Sequence, residues 1–390
     1  MISRSITSLL ARSKKHILLL GPRQTGKSTL VSSLDPDLTL NLAHEPTYLD
    51  FLRNPRELEE RLAASPSART IFIDEVQRLP SLLNTIQSLV DRQGNSRRFL
   101  LTGSSARKLR RGHANLLPGR VHTYTLGPLI SLELGYAVSL SKALSLGTLP
   151  GVWTDPDQNS AQKTLRSYAG TYLKEEIQAE GLARNLEGFA RFLNIAAAAS
   201  GQFLDLSKLA SAAQVPRQSA VRFFEILEDC LIVLRIDAFA KSEHRRLVQH
   251  PRFYFFDVGV LNGLLGNFHV SPDRRGSLFE HWVVTQLMHT AQALDVEVRW
   301  SSYRTESGAE VDLILERGHE LCAIEVKSST QIGSNDLRGL RSFGDYHRKP
   351  HRKMVLYAGE HRKRWGDIEL WPWAEGIREL FTSRSIPFMG

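Results

Sequence analysis

The sequence predicts an α/β protein of several domains, beginning with a three-layer core in which helices cover a parallel sheet. Short apolar runs at residues 17–20, 70–73 and 99–102 alternate with longer amphipathic segments, as strands and crossover helices do. A glycine-rich loop directly follows the first run. The length of 390 residues is too great for one typical core and favours two or three domains.

The composition indicates the cellular environment of the protein and the kind of partner it attracts. The net charge of +9 is not carried by one obvious tail and favours a surface that attracts nucleic acid or anionic membrane. Cys230 and Cys322 lie in unrelated contexts, so we expect no disulfide framework and a reducing cytoplasm. No apolar stretch approaches the roughly 18 residues of a membrane span, which predicts a soluble protein. Residues 17–20 form too short a run for a secretory signal, so we interpret them as a buried strand.

The glycine-rich loop matches the pattern G-x-x-x-x-G-K-[ST] between a strand and a helix. Its glycines let backbone N–H groups wrap phosphates, Lys27 reaches the β- and γ-phosphates, and Ser28 ligates Mg²⁺. We therefore predict that ATP and Mg²⁺ are bound here. The predicted nucleotide-binding residues are Gly21, Pro22, Arg23, Gln24, Thr25, Gly26, Lys27, Ser28 and Thr29.

Two acids end the second apolar run. Asp74 and Glu75 follow three buried-type residues, at the edge of the sheet where the loop also lies. Asp74 is expected to hold Mg²⁺ through water, and Glu75 to orient the attacking water, because phosphoryl transfer depends on positioning and charge stabilisation. A helix cap or a solvated turn is the alternative, which the upstream loop disfavours.

Two further catalytic candidates lie downstream. Ser104 follows the third strand and is the candidate γ-phosphate sensor, with Ser105 next to it, although hydroxyl residues also form turns there. Arg120 is the candidate arginine finger that reaches a neighbouring subunit, which predicts a ring. A solvated basic face is the alternative, and other arginines compete for the role: Arg107, Arg110 and Arg111.

The remaining chain divides into three segments. Residues 1–130 form the core, and a helical pattern at residues 131–200 predicts a lid. Residues 201–270 contain two helical patterns and then strand-like runs at 231–236 and 252–256, which predicts a winged helix. Residues 271–390 form a third domain.

The second helix of the predicted winged helix has a polar face suited to nucleic acid. Arg217, Gln218 and Arg222 lie on that face, and these residue types contact base edges and phosphates. The loop between the strand-like runs adds a basic wing with Lys241, Arg245 and Arg246. We expect DNA binding, with a protein-packing winged helix as the alternative.

Residues 310–327 predict a β-hairpin. Both halves alternate apolar and polar residues, and Gly318-His319 forms a two-residue turn of the glycine-first type. This register pairs Asp312 with Glu325 on the polar face. The next pair on that face is Glu310 with Lys327.

Two carboxylates and a lysine on one strand face are suited to metal-dependent phosphodiester hydrolysis. Asp312 and Glu325 would bind the metal while Lys327 steers water or phosphate. Glu280 adds a carboxylate from a preceding helix, or else forms a capping box with Ser277. Ordinary cross-strand ion pairs are the alternative for the hairpin.

Eight segments carry a family resemblance: GPRQTGKST, IFIDEVQRL, LLTGSS, PGRV, FYFFDVGVLNGLLG, GSLFEHWV, GAEVDLIL and AIEVKSS. Over most of its length the chain resembles AAA+ P-loop ATPases with a winged helix and a C-terminal α/β domain of restriction-endonuclease-like, PD-(D/E)XK-type fold. The resemblance implies a homo-oligomeric ring, commonly a hexamer, that works on a macromolecule. It also maps a nuclease-like motif onto four residues: Glu280, Asp312, Glu325 and Lys327.

Three functions compete at this point. The first is an ATPase that translocates or remodels DNA. The second is a nucleotide switch that oligomerises on ATP and acts through protein partners. The third is an ATP-dependent nuclease, which differs from the first only in whether the C-terminal domain cuts DNA.

Overall fold

The computed structural model describes residues 2–92, 96–104, 119–172, 185–239 and 250–382. The chain divides into two compact units. The first consists of Met1–Leu129, Glu225–Ile232 and Gln292–Asp295, and the second of Ile130–Phe224, Val233–Ala291 and Val296–Gly390. No helix in the described part of the chain combines the length and the apolar character that a membrane span requires.

The first unit is built on a parallel sheet with the strand order β2-β3-β4-β1-β5. Its strands are β1 (His16–Leu20), β2 (Leu38–Asn41), β3 (Thr70–Asp74), β4 (Arg98–Gly103) and β5 (Val121–Thr125). All four neighbouring pairs are parallel. The carboxyl ends of the strands therefore meet at one edge, where the glycine-rich loop and the acids after β3 also lie.

Apolar side chains pack on both faces of this sheet. Leu18 and Leu20 belong to one buried cluster, whereas Ile17 and Leu19 belong to another, because successive strand residues point to opposite faces. The helices of this unit are α1 (Thr7–Arg12), α2 (Lys27–Ser32), α3 (Glu45–Arg53), α4 (Glu57–Ala64) and α5 (Leu82–Asp91). The predicted three-layer α/β core is confirmed.

The helices that begin in the second unit include those predicted for the lid and the winged helix. They are α6 (Leu140–Leu146), α7 (Pro150–Thr154), α8 (Gln158–Ser167), α9 (Leu186–Ala198), α10 (Leu206–Ala212), α11 (Arg217–Asp229), α12 (Val258–Leu265), α13 (Pro272–Ala293), α14 (Arg338–His347) and α15 (Trp373–Thr382).

Two glycines let α12 pack directly on its neighbours. A Cβ atom on Gly259 would lie 2.0 Å from the carbonyl oxygen of Leu146, at the end of α6, and one on Gly263 would lie 2.7 Å from that of Leu165 in α8. The carboxylate of Asp257 caps α12 by accepting from the N–H of Val260 at 3.0 Å. Burial raises the pKa of this carboxyl to about 6. Helices from the predicted lid and from the predicted winged helix therefore share one cluster.

The second sheet has the order β12-β13-β11-β10-β9-β8-β6-β7. Its strands are β6 (Val233–Ala238), β7 (Arg252–Phe255), β8 (Arg299–Arg304), β9 (Glu310–Arg317), β10 (Glu320–Lys327), β11 (Arg352–Tyr357), β12 (Lys363–Trp365) and β13 (Ile368–Pro372). β6 and β7 pair antiparallel, and β6 also pairs in parallel with β8. The boundary predicted at residue 270 therefore falls between strands of one sheet.

The predicted hairpin register is confirmed. Cys322 pairs with Leu315 and Ile324 with Leu313, and the last pair joins Glu320 to Arg317. Gly318 has a φ of +61°, which glycine adopts without strain at the first position of the turn.

Candidate functional site

The glycine-rich loop connects β1 to α2 in a conformation that few sequences tolerate. Gln24 and Gly26 have positive φ angles of +63° and +89°. A Cβ atom on Gly21 would lie 2.3 Å from the carbonyl oxygen of Leu126, so only glycine fits there. Arg4 donates a hydrogen bond of 2.7 Å to the carbonyl oxygen of Thr25. The loop is therefore constrained by Leu126 on one side and by Arg4 on the other.

Lys27 lies inside this loop. Its side chain is buried, and Nζ donates to the carbonyl oxygens of Gly21 at 2.8 Å and Pro22 at 2.9 Å. The buried ammonium and the tight glycine backbone fit a phosphate group, because both supply positive charge and donors without a side chain in the way.

Ser28 and Asp74 come together beside the loop. The hydroxyl of Ser28 donates to Oδ1 of Asp74 at 2.8 Å, and the hydroxyl of Thr102 in β4 donates to the same oxygen. A hydroxyl and a carboxylate are oxygen ligands of the kind that Mg²⁺ takes beside a phosphate. These residues fit the predicted ion, and sequence reasoning missed Thr102 because a threonine in a strand carries no motif.

Glu75 and Ser104 are connected through a residue to which the sequence assigned no role. Glu75 has a left-handed backbone, with φ +58° and ψ +43°, and its N–H donates to Thr102 Oγ1 at 3.2 Å. Nε2 of Gln77 donates both to the carboxylate of Glu75 and to Oγ of Ser104 at 2.9 Å. The strained turn and the buried amide fix the direction of the Glu75 carboxylate.

Arg120 lies far from the loop of its own chain. It precedes β5, whose first residue, Val121, pairs with His16 at the start of β1, whereas the loop follows the end of β1. Its side chain is 44% exposed and forms an ion pair with Asp91. Within one subunit, Arg120 is therefore on the opposite edge of the sheet from the loop. The other candidates lie outside the described residues: Ser105, Arg107, Arg110 and Arg111.

The predicted polar face of α11 is exposed. Arg217, Gln218 and Arg222 all face solvent, while Ala220 and Phe223 are buried on the other side. The Nε of Arg217 donates to Oγ of Ser207 at 3.2 Å, at the start of α10. The predicted wing residues lie outside the described part of the chain: Lys241, Arg245 and Arg246.

The second unit contains a cluster of buried charges around Arg252, the first residue of β7. Its side chain is only 5% exposed, and its guanidinium lies 2.5 Å from Glu280 in α13, 3.3 Å from Asp312 in β9 and 3.4 Å from Glu310. Sequence reasoning missed Arg252, because one arginine at the start of an apolar strand has no distinguishing pattern.

The guanidinium lies among carboxylates to which the sequence assigned a metal ion. Oδ1 of Asp312 accepts from Arg252, and Oδ2 accepts from the N–H of Val326 at 2.9 Å. Oε1 of Glu280 accepts from Arg252 and, at 2.7 Å, from the hydroxyl of Tyr254. Burial, followed by the charge of Asp312, raises the pKa of Glu280 to about 7.

Glu325 completes the cluster from β10. Its Oε1 accepts from Nζ of Lys327 at 2.5 Å, while its buried Oε2 has no hydrogen-bond partner. Burial and the nearby Asp312 raise the pKa of Glu325 well above its usual range. The ammonium of Lys327 therefore balances one oxygen of this carboxylate.

The ion pairs of Arg252 favour the alternative of ordinary charge pairing, and the metal site at Glu280, Asp312 and Glu325 stays a prediction. Within the described ranges, no group of three or more His, Cys, Asp or Glu side chains is arranged to hold a metal ion. The capping alternative is wrong, because α13 begins at Pro272. Ser277 lies inside that helix and donates to the carbonyl oxygen of Arg274 at 2.9 Å.

Comparisons with known proteins agree with the geometry of the first unit. Residues 13–134 match the AAA domain family. Residues 138–271 match a domain of unknown function (DUF8612), and residues 275–375 match another (DUF4143). Uncharacterized proteins of Mycobacterium bovis and Mycobacterium tuberculosis are each 29% identical over 351 residues, which cover 89% of this chain and 77% of theirs.

Two solved structures also match, both at 13% identity. Replication initiator DnaA, bound to AMPPCP and single-stranded DNA, matches with a TM-score of 0.25 over 57% of this chain and 86% of its own. A signal transduction ATPase with numerous domains from Pyrococcus horikoshii matches with a TM-score of 0.23 over 73% of this chain and 44% of its own. The domain family match and the geometry of the loop together support an AAA-type P-loop domain at residues 13–134.

Proposed function

We propose that this protein hydrolyses ATP and couples hydrolysis to binding and translocation or remodelling of DNA as an oligomeric ring. One observation carries the ATPase assignment. An unbroken set of hydrogen bonds runs from Ser28 through Asp74 and Thr102 to Glu75, directly beside the loop that contains Lys27. Groups that bind phosphate, hold a cation and orient water are thereby joined in one site.

Each residue has a distinct task in this proposal. Lys27 binds the β- and γ-phosphates, and Ser28 with Asp74 holds Mg²⁺, which neutralises phosphate charge when it is bound. Glu75 orients and polarises the attacking water. Gln77 positions the Glu75 carboxylate, and its second bond lets Ser104 transmit a change at the γ-phosphate to Glu75.

Arg120 acts on the ATP of a neighbouring subunit in this proposal, since it lies on the far edge of its own sheet. Replacing Arg120 by alanine is expected to retain ATP binding and remove most turnover. Mixing this variant with Glu75→Gln subunits is expected to restore part of the activity, because some interfaces then combine an intact Glu75 with an intact Arg120. Turnover is measured by phosphate release at fixed total protein.

Asp91→Asn is the control for this experiment, because it breaks the ion pair of Arg120 without removing the guanidinium. Turnover by a monomer at the parent rate, or a mixture no more active than its components, would remove the ring and the hexamer from the proposal.

The DNA assignment rests on the exposed face of α11. Replacing Arg217 and Arg222 together by alanine is expected to weaken DNA binding and to lower the slope of log affinity against log salt by about two units. DNA-stimulated ATP turnover should fall with it. The test uses single-stranded, duplex and branched DNA, with Arg53→Ala as the control because Arg53 is an exposed arginine of α3.

Unchanged affinity at low and moderate salt, with no effect of DNA on turnover, would favour a nucleotide switch that acts through protein partners.

DNA cleavage is not part of the proposal, because Arg252 lies among the carboxylates that a metal-dependent nuclease needs. We propose that residues 271–390, together with β6 and β7 of the same sheet, form a restriction-endonuclease-like domain that binds DNA without cutting it.

A further inference from the structure

The last strand of the second sheet is exposed and basic. β12 lies at the end of the strand order, and all three of its residues, Lys363, Arg364 and Trp365, face solvent. Trp365 is 44% exposed, which is unusual for a large aromatic side chain in the described part of this chain. Arg348 and Lys349, before β11, are exposed as well. We call these five residues the basic edge.

The basic edge lies at one end of the sheet. Trp365 pairs with Ile368 at the start of β13, and Ile368 pairs with Lys353 at the start of β11. Since Arg348 and Lys349 lie just before β11, they are at the same end as Trp365. The strand pairing therefore places two separate basic segments, residues 348–349 and residues 363–364, near the exposed indole of Trp365.

Positive charge is concentrated in the segment that contains the basic edge. Residues 347–367 contain seven Lys or Arg and two Asp or Glu, a net charge of +5 against +9 for the whole chain. Two of the nearby acids have cationic partners within the protein. Asp367 accepts from Lys353 at 2.6 Å, and Glu369 accepts from Arg352 at 2.7 Å and lies 3.6 Å from Arg362. The exposed cations of this segment include Arg348, Lys349, Lys363 and Arg364.

We propose that the basic edge binds single-stranded nucleic acid. Lysine and arginine side chains along an open strand attract successive phosphates, and an exposed indole offers a face on which an unpaired base stacks. A duplex keeps its bases stacked inside and presents only phosphates to Trp365, so it loses the aromatic contribution. A membrane surface would require a broader apolar face than one indole.

This inference extends the proposed function, because it names a second contact for DNA that is separate from α11. It rests on that function only for the coupling to ATP hydrolysis. Binding at the basic edge itself requires no nucleotide, since neither Lys27 nor Glu75 takes part.

The test measures fluorescence anisotropy of labelled oligo-dT, oligo-rU and a duplex of equal length with the full chain and no nucleotide. Trp365→Ala is expected to weaken single-strand binding about tenfold, with little change in salt dependence. Lys349→Gln with Lys363→Gln is expected to lower the salt slope by about one and a half units. Comparison of the dT and rU arms shows whether DNA or RNA binds better, and binding of either that depends on Trp365 supports the proposal.

Matched controls come from exposed residues elsewhere. Leu265, 38% exposed, is replaced by alanine as the apolar control, and the exposed Lys163 by glutamine as the charge control. Single-strand affinity that is unchanged in Trp365→Ala, or duplex affinity that falls in this variant as much as single-strand affinity, would overturn the proposal.

Two further readouts separate this proposal from the DNA-coupled ATPase. If DNA fails to stimulate ATP turnover while single-strand binding depends on Trp365, the proposed coupling to ATP hydrolysis is refuted. Nucleic-acid binding at the basic edge is then still supported. If DNA stimulates turnover but binding is indifferent to Trp365, Lys349 and Lys363, the basic edge alone is overturned.

Discussion

Replacing Lys27 by alanine is expected to abolish ATP binding, whereas Glu75→Gln is expected to bind ATP and to lower turnover at least about a hundredfold. The difference has a structural cause. Lys27 lies inside the loop, bonded to its carbonyl oxygens, so its removal leaves a buried cavity without positive charge. Glu75 lies outside the loop, in a turn after β3, so its amide analogue leaves the phosphate contacts intact.

Binding is measured with a fluorescent ATP analogue, and turnover by phosphate release. Lys14→Ala and Glu60→Gln are the matched controls, because both residues are exposed in the same unit and away from the loop. Parent-rate hydrolysis by Glu75→Gln would refute its role, and undiminished ATP affinity in Lys27→Ala would refute the loop assignment.

Replacing Arg252 by methionine is the second change with a large expected effect. Without the guanidinium, Glu280, Glu310 and Asp312 are left as neighbouring carboxylates with little solvent to separate them. Removing one partner of a buried ion pair typically costs about 3–5 kcal/mol. We therefore expect a marked loss of unfolding free energy in the presence of chelator. Mn²⁺ should restore part of this loss in the variant and have no such effect on the parent protein.

Denaturant unfolding with chelator or Mn²⁺ measures both effects. The double variant Arg252→Met with Asp312→Asn is the control, because it removes a carboxylate and should lose the response to Mn²⁺. Arg252→Lys serves if the methionine variant does not fold, since it keeps the charge but has fewer donors. Binding of Mn²⁺ by the parent protein, if it is lost in the Asp312→Ala variant, would confirm the predicted metal site.

The best sequence predictions concern features that neighbouring residues determine. The spacing of Gly21, Gly26 and Lys27 after an apolar run specifies a loop that can close in only a few ways. The hairpin register follows from two-residue periodicity and from Gly318, since a slip of one residue would exchange its two faces. The exposed face of α11 follows in the same way from helical periodicity.

Such local patterns could not predict contacts between segments that are distant in the sequence. Thr102 lies 28 residues from Asp74, and Gln77 contacts Ser104 across 27 residues. Each residue is an ordinary one for its position, so only the adjacency of β3 and β4 brings these side chains together. The same holds for β6, whose parallel pairing with β8 joins segments that the sequence separates into two domains.

The sequence by itself determined the three-layer core, the glycine-rich loop, the acids at the end of β3 and the hairpin that pairs Leu313 with Ile324, because local spacing and periodicity specify each of them. Only the tertiary structure decided what those acids and the acids of the hairpin contact. Arg252, 60 residues from Asp312, enters the cluster because its side chain extends from β7 to Glu280 in α13 and to Asp312 in β9. A buried guanidinium there balances the carboxylates that local sequence assigned to a metal ion, since buried charges require a partner and any cation of suitable geometry can serve.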